Sequence, residues 1–152
     1  MVRKDRTFID AIKNYYQSDI VDEEKHDTEV ENMVYIDKLK HLLVMERDSK
    51  KFKVYSSKTG RLIQSVPEKN VKGGAIIAAD FIELDNTRYV ATCQNNRMIN
   101  FWDSLNYNHR DRLPTADIQL CLKWCGQGVN RLFSGGCDNK IHAYDVLKPT
   151  EL

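Results

Sequence analysis

Three stretches of the chain can be laid on one another, and this internal likeness limits the folds open to it. They are Leu43–Ser56 (LVMERDSKKFKVYS), Val90–Asp103 (VATCQNNRMINFWD) and Leu132–Asp145 (LFSGGCDNKIHAYD). Each opens on an apolar residue at the head of a short strand-like run. A polar turn follows, then a run that alternates apolar and polar and ends in an aromatic: Tyr55, Trp102 or Tyr144. The aromatics stand 47 and 42 residues apart, and each lies 12 residues after its opening position. Alternation at period two marks a half-buried strand, so the repeat is expected to be built of β-structure.

More strands can be read around this nucleus. In the first repeat Met33–Ile36 and His41–Met45 read as strands, Asp48–Lys51 as a turn and Phe52–Tyr55 as a third strand. Arg61–Val66 returns as a fourth after the Lys58-Thr59-Gly60 turn, where glycine can take positive φ. The second repeat offers Ala75–Phe81, Tyr89–Cys93 and Met98–Trp102. Its Ser104–Asp117 stretch is polar, contains Pro114 and reads as a long connection with at most a weak fourth strand. The third offers Ile118–Trp124, Arg131–Ser134 and Ile141–Tyr144, with no complete fourth strand written before Leu152. Paired strands at a period of about 40–45 residues are the signature of propeller blades. The expectation is an all-β chain: a partial β-propeller of about three four-stranded antiparallel blades, the last incomplete. The blades would span 30–70, 71–117 and 118–152. Repeat arrays of this kind act as scaffolds and binding surfaces more often than as catalysts.

Residues 1–29 have a different texture. Phe8, Ile9, Ile12, Tyr15 and Tyr16 share one face at helical spacing, and a charged run from Asp22 to Glu31 follows. This predicts a short N-terminal helix and a solvated linker. So short a helix is marginal alone in water, so its face at Phe8, Ile12 and Tyr15 is a candidate partner contact. Tyr107, Arg110 and Arg112, in the long polar connection, form a second candidate, because Tyr and Arg are favoured in contact cores. A solvated loop is the plainer reading of those three.

The net charge of +1 supplies no global field toward nucleic acid or anionic lipid. No apolar run approaches the roughly 20 residues that span a bilayer. The start of the sequence is basic but lacks the apolar stretch of a signal peptide. A cytoplasmic, reducing location is therefore expected, with Cys93, Cys121, Cys125 and Cys137 as thiols.

Phe101-Trp102-Asp103 and Ala143-Tyr144-Asp145 resemble the Trp-Asp endings of the WD-repeat family, and Ser134 to Ile141 resembles its second strand, turn and third strand. The resemblance covers about residues 30–148. It implies one four-stranded blade per repeat and a hydrogen-bonded set of His, Ser or Thr, Asp and Trp within a blade. By that resemblance Ser134, Asp138 and Tyr144 match in the third repeat, and Thr92 and Trp102 in the second, where Asn96 replaces the Asp. Met45 and Ser49 stand at these places in the first repeat, which keeps only Tyr55. Asp103 and Asp145 complete the structural positions. Three blades fall short of the 4–8 that close a ring. Either the chain belongs to a longer propeller, or a partner chain supplies the missing blades. The degenerate repeats resemble those of WD-repeat proteins of ciliary axonemes, which implies a cytoskeletal setting.

The residues that could carry chemistry have plainer readings. Cys121, Cys125, Cys137 and His142 could suggest zinc, but no Cys-x-x-Cys pair is present and cysteine packs well in strands. The acidic stretch Asp19 to Asp27 lacks the central glycine and spacing of a calcium loop. The four histidines are scattered, and no nucleophile–base set follows from their order. The expected function is thus a non-enzymatic scaffold that binds protein partners in a large assembly, without cofactor, metal, nucleic acid, membrane or small-molecule substrate. The alternative is a peptide-binding adaptor within a longer, closed propeller.

Overall fold

The structure, a computed structural model, describes residues 28–68 and 73–146. The expected N-terminal helix, with Phe8, Ile12 and Tyr15, lies outside the described residues. Everything described is strand or turn. β1 (Val30–Ile36), β2 (His41–Glu46), β3 (Phe52–Ser56) and β4 (Leu62–Val66) form one antiparallel sheet in chain order. β5 (Ile76–Leu84), β6 (Thr87–Gln94), β7 (Met98–Asp103) and β8 (His109–Pro114) form a second. β9 (Gln119–Cys125), β10 (Arg131–Gly136) and β11 (Ile141–Asp145) form the third. The three sheets are separate. Their first strands approach one another in succession, β1 against β5 and β5 against β9, as blades do around an axis.

The ladders repeat down to their irregularities. β1, β5 and β9 each carry one bulge at the same place, skipping Glu31, Ile77 and Leu120. β4 and β8 share a second, skipping Ile63 and Arg110 opposite the aromatic that ends the third strand. Bulges bend and twist a strand locally, so equal placement gives the sheets equal curvature. Backbone bonds outside the ladders also recur: Arg47 N to Glu29 O at 2.8 Å, Asn95 N to Ala75 O at 3.0 Å and Cys137 N to Ile118 O at 2.8 Å.

Two expectations need correction. Tyr55 faces Leu42, whereas Trp102 faces Val90 and Tyr144 faces Leu132. Leu42, not Leu43, is therefore the counterpart of Val90 and Leu132. The β2–β3 turn holds one residue more than the other two. Six residues separate the paired Met45 and Phe52, but five separate Cys93 from Ile99 and Gly135 from Ile141. The same shift puts Val44, not Met45, opposite Lys53 at the place of Thr92 and Ser134. Second, the polar connection of the second repeat contains a regular strand, β8, paired with β7 from Met98 to Trp102. It is an edge strand that buries little, so it needs no apolar alternation, and its Pro114 sits at the strand end where edges tolerate proline.

Two cores lie between the sheets. Leu43, Met45, Phe52 and Val54 of the first sheet pack on Ile76, Ala79, Val90, Trp102 and Tyr107 of the second repeat. Ala78, Ala91, Cys93 and Ile99, on the other face of the second sheet, pack on Leu122 and Leu132 of the third. Period-two alternation on β6 thus serves two cores at once: Val90 turns one way, Ala91 and Cys93 the other.

Candidate functional site

The residues singled out by pattern fall mainly into two places. One is a set of polar rungs that fix each sheet. The other is the surface the sheets leave uncovered.

In the second sheet the Trp102 indole N–H donates to Thr92 Oγ1 at 2.9 Å, both residues being buried. In the third, Ser134 Oγ donates toward Gln119 Oε1 at 2.5 Å and lies 3.2 Å from Tyr144 Oη. Gln119 donates in turn to Asp117 O at 2.8 Å. Gln119 was not legible as part of this set, because a lone glutamine at a strand start carries no pattern. Asp138 does not join Ser134 and Tyr144. Its carboxylate accepts from His142 Nε2 at 2.8 Å, and that contact holds its pKa below the usual carboxylate value. Each sheet therefore ties down the residue two before its aromatic in a different way. Lys53 pairs with Glu46 at 3.1 Å, Asn100 donates to Gln94, and His142 meets Asp138. Glu46, Gln94 and Gly136 occupy one repeat position. Where glycine removes the side chain there, the partner comes from the turn instead.

Asp103 and Asp145 are the last residues of β7 and β11. Asp103 accepts from Leu105 N at 2.8 Å and from Arg110 at 2.9 Å, and the guanidinium draws its carboxyl below the ordinary value. Asp145 accepts from Arg131 at 2.9 Å. Of the three loop candidates for partner contact, Arg110 is thus held by Asp103, and Arg112 lies exposed on β8. Tyr107 is not at a loop tip: it is only 5% exposed, and its hydroxyl meets His41 Nδ1 at 2.8 Å. Its ring stands edge-on to Phe52 at 5.9 Å, beside the Phe52–Trp102 pair at 5.7 Å. Such pairs add about 0.5–1.5 kcal/mol to area burial. Tyr107 has φ of 56°, at the repeat position where Gly60 has 71°. A bulky residue in that region is strained, and burial between two sheets holds it there. Sequence pattern missed this because a tyrosine in a polar stretch looks like a surface residue.

The uncovered surface is the outer face of the third sheet. Cys121, Phe133, Gly135, Ile141 and Ala143 lie there at the repeat positions of Ala78, Ala91, Cys93, Ile99 and Phe101. The second-sheet set is covered by the third sheet. In the third sheet Ile141 is 82% exposed and Cys121 and Ala143 are exposed. Burial pushes the Cys93 thiol up to about 12, whereas Cys121 is open to solvent. Among the described residues, no group of three or more His, Cys, Asp and Glu comes together as a metal site, so Cys121, Cys125 and His142 do not converge.

No protein-family model matches the chain, and no curated protein matches it. Solved structures do. The structure of U3-55K superposes with a TM-score of 0.67 at 16% identity, over 81% of this chain and 38% of that one. The crystal structure of RRP9 WD40 repeats gives 0.67 at 17% identity, over 81% and 37%. The Cps50 (Swd1) β-propeller domain of Myceliophteria thermophila gives 0.64 at 8% identity, over 82% and 38%. The chain spans under two fifths of each of these structures. Its fold is that of a segment of a WD40 β-propeller, three consecutive blades in an all-β arc.

Proposed function

We propose that this chain is a protein-binding scaffold whose open blade faces take up further β-sheet from a partner chain or segment. The observation that carries the reading is the pair Ile99 and Ile141. The same residue at the same repeat position is fully buried where a next sheet covers it and 82% exposed where none does. Isolated exposed leucines and isoleucines are ordinary on surfaces. An exposed apolar face whose repeat counterpart is a packed core is not, and it marks an interaction site. The mechanism is burial of that face against a partner sheet, with edge strands β4 and β8 offering backbone groups for pairing. A wholly structural role in a ciliary axoneme is the narrower form of this proposal, and localisation of the tagged chain outside cilia would remove it.

Cys121 lies on the same face and provides the test. A benzophenone maleimide attached to Cys121 in a chain carrying Cys125→Ser and Cys137→Ser, photolysed in native extract, should crosslink a discrete protein. Ile141→Glu should abolish that crosslink while leaving the melting temperature of the chain unchanged. Crosslinking indifferent to Ile141→Glu would sink the proposal.

A further inference from the structure

A groove lies where the first strands of the three sheets meet, on the side where β1 runs into its turn and β9 ends. Its volume is about 620 Å³, within the range of ligand sites. Tyr35, Phe81 and Trp124 line it, and they occupy one repeat position, the sixth residue of β1, β5 and β9. Three successive blades thus each contribute an aromatic to one opening. Tyr35 is 50% exposed and Trp124 partly so. Gly126 lies beside the indole N–H of Trp124, where a Cβ would crowd it at 3.1 Å.

The charged residues of the wall are Asp37, Asp80, Glu83 and Lys38: three carboxylates and one ammonium. Most are spoken for. Lys38 crosses from the first sheet to Glu83, which Arg88 also meets at 2.9 Å, and Lys40 holds Asp37 at 2.8 Å. Asp80 differs. Its oxygens accept the backbone N–H groups of Phe81 at 2.8 Å and of Trp124 at 2.7 Å, and among the described residues it takes no ion pair. A carboxylate has about four acceptor sites, so two stay open after those bonds. Asp80 is therefore a carboxylate fixed in direction by two backbone donors, set in a cleft with aromatic walls, and without a cation among the described residues.

We infer that this groove binds a cationic side chain, arginine or lysine, presented by an extended segment of a partner protein. Carboxylate and guanidinium form short charge-assisted bonds, and aromatic faces attract the same cation. The carboxylate of Asp80, unpaired among the described residues, disfavours nucleic acid and acidic peptide at this point of the wall. The inference deepens the scaffold reading and rests on it, adding the chemistry of one contact.

The test uses short glycine-flanked peptides carrying a single Arg, Lys or Glu, titrated into the purified chain. Trp124 reports directly by fluorescence, because Trp102 is 3% exposed and shielded. The Arg and Lys peptides should bind saturably and more weakly as salt rises, and the Glu peptide should not bind. Tyr35→Ala, at an exposed position, should weaken the Arg peptide about tenfold, the effect of losing one favourable cation–π contact. Asp80→Asn, checked by thermal melting to remain folded, should weaken it at least as much. Equal response to Arg and Glu peptides, or affinity unchanged in both variants, overturns the inference. If the peptides fail while the Ile141-dependent crosslink persists, the groove assignment falls and the scaffold reading stands.

Discussion

The second and third sheets are the same device in two settings. Both have a bulged first strand, a polar rung beneath the terminal aromatic and an isoleucine three residues before it. The second sheet is sandwiched, and its β6 is buried over five consecutive residues from Val90 to Gln94. The third is covered on one side only, and β11 alternates between exposed and half-buried throughout. The difference teaches that burial here is decided by the neighbouring sheet and not by the residue. Ile99 and Ile141 have the same side chain and opposite environments.

Substitutions can break or sharpen that contrast. Ile99→Ala should cost about 2–4 kcal/mol, because it opens a cavity in a closed core. Ile141→Ala should cost under about 0.5 kcal/mol in the isolated chain, as surface changes do. Chemical denaturation of the two variants checks this, and equal costs would mean that the third sheet's outer face is covered in the free chain. Next in size is Trp102→Phe, which leaves the buried Thr92 hydroxyl without its donor and should cost about 1–3 kcal/mol. Ser134→Ala should cost about 1–3 kcal/mol as well, because it leaves the buried Gln119 carboxamide oxygen without its donor.

Thiol chemistry gives a gentler probe. With its pKa near 12, Cys93 should resist maleimide at neutral pH, while Cys121 and Cys137 should react within minutes, as peptide mapping would show. The smallest expected effect is on acid stability. Asp138 has a carboxyl lowered from the ordinary 3.8 by His142. A carboxyl lowered in the folded state adds stability that is complete above its unfolded value and lost as pH falls through the folded one. Asp138→Asn should therefore lower the melting temperature slightly at neutral pH, leave the value in strong acid unchanged, and so flatten the decline below about pH 4. An unchanged acid limb would show that the Asp138–His142 contact contributes nothing measurable.

Much of this architecture was legible in the chain because its strands repeat a simple alternation. The aromatics Tyr55, Trp102 and Tyr144 mark the ends of equivalent strands, and the polar turns before them are where pattern placed them. What escaped notice has physical causes. A one-residue difference in turn length hid the register of β2, since letters can be aligned without knowing which rung they occupy. β8 was hidden because an edge strand held by backbone bonds can carry His109, Arg110, Asp111 and Arg112 without apolar alternation. Tyr107 was misplaced because burial arose from the sheet before it, 66 residues away at His41. The groove at Asp80 joins residues from three repeats, and nothing local announces such a meeting.

The skipped rungs at Glu31, Ile77 and Leu120 carry one more consequence. An extra residue lets Ile76 and Ala78, two apart in the chain, face opposite cores. Deleting Ile77 would make them neighbouring rungs against Gln94 and Cys93 with both cores still served. The defect therefore sets how far β5 bends toward its neighbours, and its loss would flatten one sheet of the three.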